Sequence, residues 1–209
     1  MMRSVKDILL VLAALTFLAG CAGPVAQSVT LSPMANAQSG DVGHSRALAF
    51  KVEDARTDRA VLGYRDMDGG RTAPISLSGD LAAVVGEAAM RPLTDMGFTP
   101  KAFREGAPLS LVVTVRELQY SAKRSGMTKK VAVRCVLDAR VVNGAGGWQG
   151  SFPVSREKEV MATPGVNDNA AFLNSVLTDS LNMMFSDQEF VQYLGREPIQ
   201  PKKASNKKK

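Results

Sequence analysis

The chain is short of the residues that most often carry chemistry. Its 209 residues include one histidine and two cysteines. One His and a free thiol cannot assemble a zinc site. A Ser-His or Cys-His nucleophile would depend on His44 alone, in a linker-like stretch with no rigid shell to hold it. Two cysteines make no disulfide framework. Aromatics are 6% of the chain, and no basic strand interleaves them, which argues against a base-stacking nucleic-acid platform. A single apolar run is long enough to raise the question of a membrane, and it is N-terminal, so a multi-span membrane protein is excluded. What is present, 45% hydrophobic residues, suits a folded domain.

The N-terminus reads as an address. Arg3 and Lys6 precede an uncharged stretch over residues 8–18. At about 1.5 Å per helical residue it is too short to cross a hydrocarbon core about 30 Å thick, and it has the length of a signal-peptide core. Leu18-Ala19-Gly20-Cys21 follows, and resembles the lipobox of bacterial lipoproteins. The resemblance implies cleavage before Cys21, after a signal peptide of residues 1–20, and acylation of Cys21. Residue 22 is Ala; the Asp that retains enterobacterial lipoproteins in the inner membrane is absent. The expected location is therefore the outer membrane, facing the periplasm.

Residues 21–46 carry Pro24, Pro33, Gly40, Gly43 and many small polar residues, and read as a flexible tether. Such a tether could reach about 80 Å fully extended and about 25–30 Å as a coil. Within it, residues 29–33 read as an alternative short edge strand ended by Pro33. The folded domain is expected over residues 47–195. Leu48, Phe50 and Val52 alternate as a half-buried strand. Residues 62–65 lead to a turn at 68–70, and residues 75–77 form a second short strand. Ser78 or Asp80 starts a helix to about residue 96, which Pro92 should kink or end and Gly97 should cap.

A strand from Leu109 to about Tyr120, an exposed loop over 121–130, and alternating strands over 131–141 and 148–154 form an antiparallel meander. Asn167 or Asp168 caps a helix whose apolar stripe runs from Leu173 to Phe185, and Ser186-Asp187 starts a short final helix. The order β-α-β-β-β-α implies an α+β two-layer domain, an antiparallel sheet with two helices on one face. Residues 196–209 form a Lys-rich, disordered tail.

Candidate chemistry is sparse. Cys135 lies between Val133 and Leu137 on an inward strand face, and reads as a small buried hydrophobe. Asp54, Asp66 and Asp68 form a weak acidic grouping that is more simply a polar turn. Asp54, Arg56 and Arg65 stand out as either a local structural turn or a partner-contact surface. No cofactor or metal is expected. The formal charge of +6 does not indicate nucleic acid. Removing the signal peptide leaves +5, which Lys202, Lys203, Lys207, Lys208 and Lys209 supply in full. Those tail lysines, and the basic stretch from Lys123 to Lys130, could meet anionic lipid or cell-wall polymer.

Together, the lipobox, Val52-Glu53-Asp54-Ala55-Arg56, Leu62-Gly63-Tyr64-Arg65, the helix ending Met96-Gly97-Phe98, the meander, and the closing segment from Phe185 to Phe190 resemble the YajG family of bacterial envelope lipoproteins. The resemblance covers about residues 18–194 and implies location and fold more than activity. The expected function is a non-enzymatic binding, scaffold or accessory subunit at the envelope, with an unknown envelope partner. Two rivals are a lipid- or glycan-binding module, which needs a cavity between sheet and helices, and an enzyme, which needs Asp54, Arg56 and Arg65 gathered in one cleft.

Overall fold

A computed structural model describes residues 25–37 and 40–198; the signal peptide, Cys21 and the tail lysines lie outside them. The centre of the fold is a meander of β6 (Leu109–Ser125), β7 (Thr128–Asn143) and β8 (Gly146–Val160), antiparallel throughout. Period-two alternation assigns its two faces. Leu111, Val113, Val115, Leu118 and Tyr120 of β6 turn inward, as do Val131, Val133, Cys135, Leu137, Ala139 and Val141 of β7. None is more than 3% exposed.

Two helices cover this inner face, α2 (Val166–Ser186) and α3 (Gln188–Gly195). Leu173, Val176, Leu177, Leu181, Met184 and Phe185 form the buried stripe of α2. Phe190 of α3 packs edge-on to Phe185 at 6.1 Å and tilted to Trp148 at 5.5 Å. Burying a side chain of this size contributes about 1.5–3 kcal/mol. Within the stripe the Ser180 hydroxyl donates to the Phe152 carbonyl at 2.6 Å.

The layers are α+β as expected, but the sheet is mixed, not wholly antiparallel. β6 is so long that two strands share its second edge. β2 (Ala47–Asp54) runs parallel to its first half, and β3 (Val61–Asp66) parallel to its second half. Beyond β2 lies β5 (Thr99–Ala102); beyond β3 lie β4 (Thr72–Leu77) and then β1 (Gln27–Val29). The chain between β2 and β3 therefore steps along one edge of β6 instead of reversing.

Several boundaries differ from the sequence reading. Residues 121–130 are not a loop: β6 and β7 pair to Ser125↔Thr128, and the turn is Gly126-Met127. Charged side chains disguise these arms because Ala122 and Val131 are the only apolar inward residues there, and the third inward position is Lys129. β8 likewise continues past Val154 to Val160. Helix α1 (Leu81–Asp95) is capped by the Asp80 carboxylate, which accepts from the Ala82 amide at 2.8 Å. It runs through Pro92 without ending there, and Gly97 follows with φ +83°. In α2, Asp168 acts from inside the first turn, accepting from the Gly165 amide at 3.1 Å.

The largest correction concerns the tether. Residues 27–29 are β1, parallel to β4, and the chain then continues in extended form beside α2. Val29, Leu31 and Ala35 are buried. On the alternate side, the amides of Ser32, Met34 and Asn36 donate to the side chains of Asn174, Thr178 and Asn182 at 2.8, 3.1 and 2.8 Å. The spacing is physical. Four residues of helix rise about 6 Å and two residues of extended chain about 6.6 Å, so a polar stripe at every fourth helical position can satisfy every second amide. Pro33 breaks the sequence pattern but not this ladder, since its own amide would point away from it. Residues 27–36 are thus held against the domain and are not a free tether.

Candidate functional site at the sheet branch point

The step from β2 to β3 creates the most distinctive surface of the domain. At the same level β6 carries a bulge: Val115 pairs Leu137 and Glu117 pairs Val136, leaving Arg116 as the extra residue. Bulges of this kind re-aim a side chain and interrupt pairing. The Ala55 amide still reaches the Val115 carbonyl at 3.0 Å, and then the chain leaves the sheet.

The Asp54–Arg56 pair shapes that departure. The Asp54 carboxylate accepts from Arg56 Nε at 3.0 Å and Nη2 at 2.9 Å, and from the Arg56 amide at 3.1 Å. Arg56 Nη2 also donates to the Arg59 carbonyl at 3.1 Å. The two side chains are 12% and 5% exposed. Burial pushes the Asp54 pKa up, but the Arg56 bonds and charge outweigh it and hold the carboxyl below its ordinary value. This is a two-pronged pair that fixes a turn.

Arg65 does not join them. It lies on the inner face, 5% exposed, and one guanidinium nitrogen donates to the Val25 carbonyl. Its neighbour Tyr120 donates to Asn169 Oδ1 at 2.7 Å, and Asn169 Nδ2 donates to Gln27 Oε1 at 2.7 Å. Burial pushes the Tyr120 hydroxyl up to about 12, so it stays protonated and donating. Arg65 and this chain of hydrogen bonds fasten β1 to the core.

Beside the Asp54–Arg56 turn, the outer face of the sheet is hollowed into a cleft of about 770 Å³, lined among others by Arg56, Tyr64, Arg116, Glu117, Gln119 and Arg134. A second hollow of about 360 Å³ lies on the far side of Arg116, against Asp138, Arg140 and Ser151. The charges alternate and pair. Arg134 Nε meets Glu117 at 3.0 Å and Arg116 Nε meets Asp138 at 3.4 Å. Tyr64 is 54% exposed at the rim. The face offers fixed hydrogen-bonding groups without a net field of one sign.

Asp66 is not part of an acidic cluster; its carboxylate accepts from the Arg124 amide at 3.1 Å. No grouping of potential metal ligands occurs among the described residues. Cys135 is fully buried, and burial pushes its thiol up to about 12, which removes thiolate chemistry at neutral pH. The sequence places Arg134 on the outer face but does not single out Arg134, Arg116 or Glu117 as site residues. Their alternation was visible, but the bulge that turns Arg116 into the cleft has no sequence signature. Nor does the sequence single out Arg46, whose guanidinium reaches the carbonyls of Leu194, Gly195 and Arg196 at 3.1, 2.8 and 2.6 Å and ties down the end of α3.

Among the described residues no helix is long and apolar enough to cross a membrane. No curated protein matches the chain. Among solved structures it is similar to protein XCC0632 from Xanthomonas campestris, of the DUF330 family, at 16% identity and TM-score 0.52, covering 81% of this chain and 93% of that one. A second similar structure, an uncharacterized protein, has 13% identity and TM-score 0.49, covering 76% and 97%. The first of these supports the two-layer α+β fold. The sequence matches the family described as uncharacterized lipoprotein over residues 33–195, well over half of its length, and the chain belongs to this YajG-like lipoprotein family.

Proposed function

We propose that this is a non-enzymatic, lipid-anchored domain that docks an envelope protein in the outer-face cleft at the sheet branch point. The observation that supports it most is the composition of that cleft. Exposed Arg134 is held by half-buried Glu117 within the cleft, and exposed Arg116 at its border is held by half-buried Asp138 of the adjoining hollow, with Gln119 beside them and Tyr64 at the rim. A mixed, preorganised surface with an aromatic at its rim suits a protein partner better than a polyanion, which would favour one sign of charge. A buried apolar ligand is less well served, because the layer between sheet and helices is filled by side chains at or near zero exposure. An acid–base site is also poorly served, since Arg65 lies on the other face and Asp54 is held ionised by Arg56.

The anchor of this reading is acylated Cys21, and its location is the periplasmic side of the outer membrane. The tail follows from the opposite end of the domain, where Asn143 Nδ2 donates to the Arg196 carbonyl at 2.8 Å. There Lys202, Lys203, Lys207, Lys208 and Lys209 would face anionic cell-wall polymer. The test is photo-crosslinking in cells from Gln119 in the cleft and from Glu87 on α1. The docking reading expects one reproducible protein adduct from Gln119 and none from Glu87. Equal adducts from both positions, or none from Gln119, would reject it.

A further inference from the structure

The ladder between the N-terminal segment and α2 changes where the domain sits. Val25 is already tied down, its carbonyl accepting from Arg65. Only residues 22–24 separate it from Cys21. Four residue steps span about 14 Å at most, against the far longer reach expected of a tether running to residue 46. If Cys21 carries the lipid, as the proposed function requires, the end of the domain around Val25 has to lie beside the headgroups.

That end is built from four segments. β1 is parallel to β4 and β3 is parallel to β6, so the Val25 entry, the β3–β4 turn and the tip of the β6–β7 hairpin all point the same way. The connection from β8 to α2 joins them, because Val160 pairs Lys129 and the Lys129 ammonium donates to Thr163 Oγ1 and to the Asp66 carbonyl. This end carries an unusual share of exposed apolar side chains. Met127 is 90% exposed, Met161 77%, and Val25 65%. Arg71, Lys123, Arg124 and Lys130 are exposed around them; Glu159 lies level with Lys130, Glu157 pairs with Lys130 at 2.6 Å from slightly further back on β8, and the Asp66 carboxylate sits against the Arg124 amide. Exposed methionines set among basic side chains, with Asp66, Glu157 and Glu159 interleaved, match the mixed polar and apolar boundary between headgroups and acyl chains.

We infer that this end, with Met127 and Met161 at its apices, is a membrane-contacting surface for anionic phospholipid, and that it holds the domain upright on its anchor. The meander then stands upright on the bilayer with the β6–β7 tip down, and the β7–β8 turn at Ala145 lies roughly 50 Å out along the strand. The outer-face cleft, midway along β6, is left open to a partner in the periplasm.

The test uses the acylated full protein, purified from membranes and reconstituted into vesicles of phosphatidylethanolamine and phosphatidylglycerol. Single fluorophores are placed through Met127→Cys, Met161→Cys and Ala145→Cys, with headgroup-nitroxide lipid as the quencher. Cys135 is buried and does not compete for label. Strong quenching at 127 and 161, none at 145, and loss of the 127 signal in a Lys123→Glu/Arg124→Glu variant is the expected result. Equal quenching at 127 and 145, or none at 127 while mass spectrometry finds Cys21 acylated, overturns the orientation and leaves the anchor standing. An unmodified Cys21 removes the anchor reading and this inference together.

Discussion

The two faces of the β6–β7–β8 meander are written in alternate residues of the same strands, yet they are held by different physics. The inner face is mainly apolar and covered by α2 and α3. The outer face pairs exposed Arg116 with half-buried Asp138 and exposed Arg134 with half-buried Glu117. Partly exposed pairs of that kind contribute about 0–1 kcal/mol each, while single inner side chains contribute more. The domain therefore keeps its stability on one face and can vary the other without unfolding. The branch point is where the two meet, because the Asp54–Arg56 turn is buried and yet forms the cleft wall.

The sharpest way to break this contrast is to disturb the branch itself. A Cβ on Gly63 would stand 1.7 Å from the Tyr120 carbonyl oxygen. Gly63→Ala should separate β3 from β6 and cost about 3 kcal/mol or more, read by urea unfolding. Asp54→Asn should cost about 2 kcal/mol by leaving Arg56 buried without its partner. Its pH signature has a definite sign. Because the folded-state pKa of Asp54 is lowered, its stabilisation is present above the ordinary Asp value of 3.8 and is lost as pH falls through the folded value. The stability difference between wild type and Asp54→Asn should accordingly shrink in acid. A constant difference down to acid unfolding would show that the pair contributes nothing through charge.

Asn182→Ala should cost about 0.5 kcal/mol, since the amide of exposed Asn36 loses its acceptor and turns to water. Hydrogen exchange at the Asn36 amide should accelerate, while exchange in β7 stays unchanged. At the small end, Arg134→Ala should change stability by less than about 0.5 kcal/mol. Cys135, the inner-face counterpart, should resist maleimide at neutral pH until the protein is denatured.

The contrast between the faces was legible in the sequence because side-chain period follows strand geometry directly. From Val131 to Val141 the inward set was readable residue by residue, as were Arg134, Asp138 and Arg140 on the other side. The Asp187 start of the last helix was legible for a similar reason: a cap is a local bond, here to the Phe190 amide at 2.7 Å. Long-range pairings left no such trace. Nothing in Thr99–Ala102 announces β5, and its partner Ala47–Phe50 lies far away in sequence. The N-terminal segment looked like a linker because its amides are satisfied by α2 side chains, an arrangement that requires no strand-like composition. Of the site, the Asp54–Arg56 pair was visible as a local motif. Arg65 was wrongly grouped with it, since proximity in sequence does not say on which side of a bulged strand a side chain will fall.

The central claim is that the outer face carries binding and the inner face carries stability. One variant tests both halves: Arg116→Ala/Arg134→Ala, examined by thermal unfolding and by crosslinking from Gln119 in cells. An unfolding temperature near that of wild type and loss of the Gln119 adduct are expected. An intact adduct, or a large drop in stability accompanying its loss, would contradict the claim.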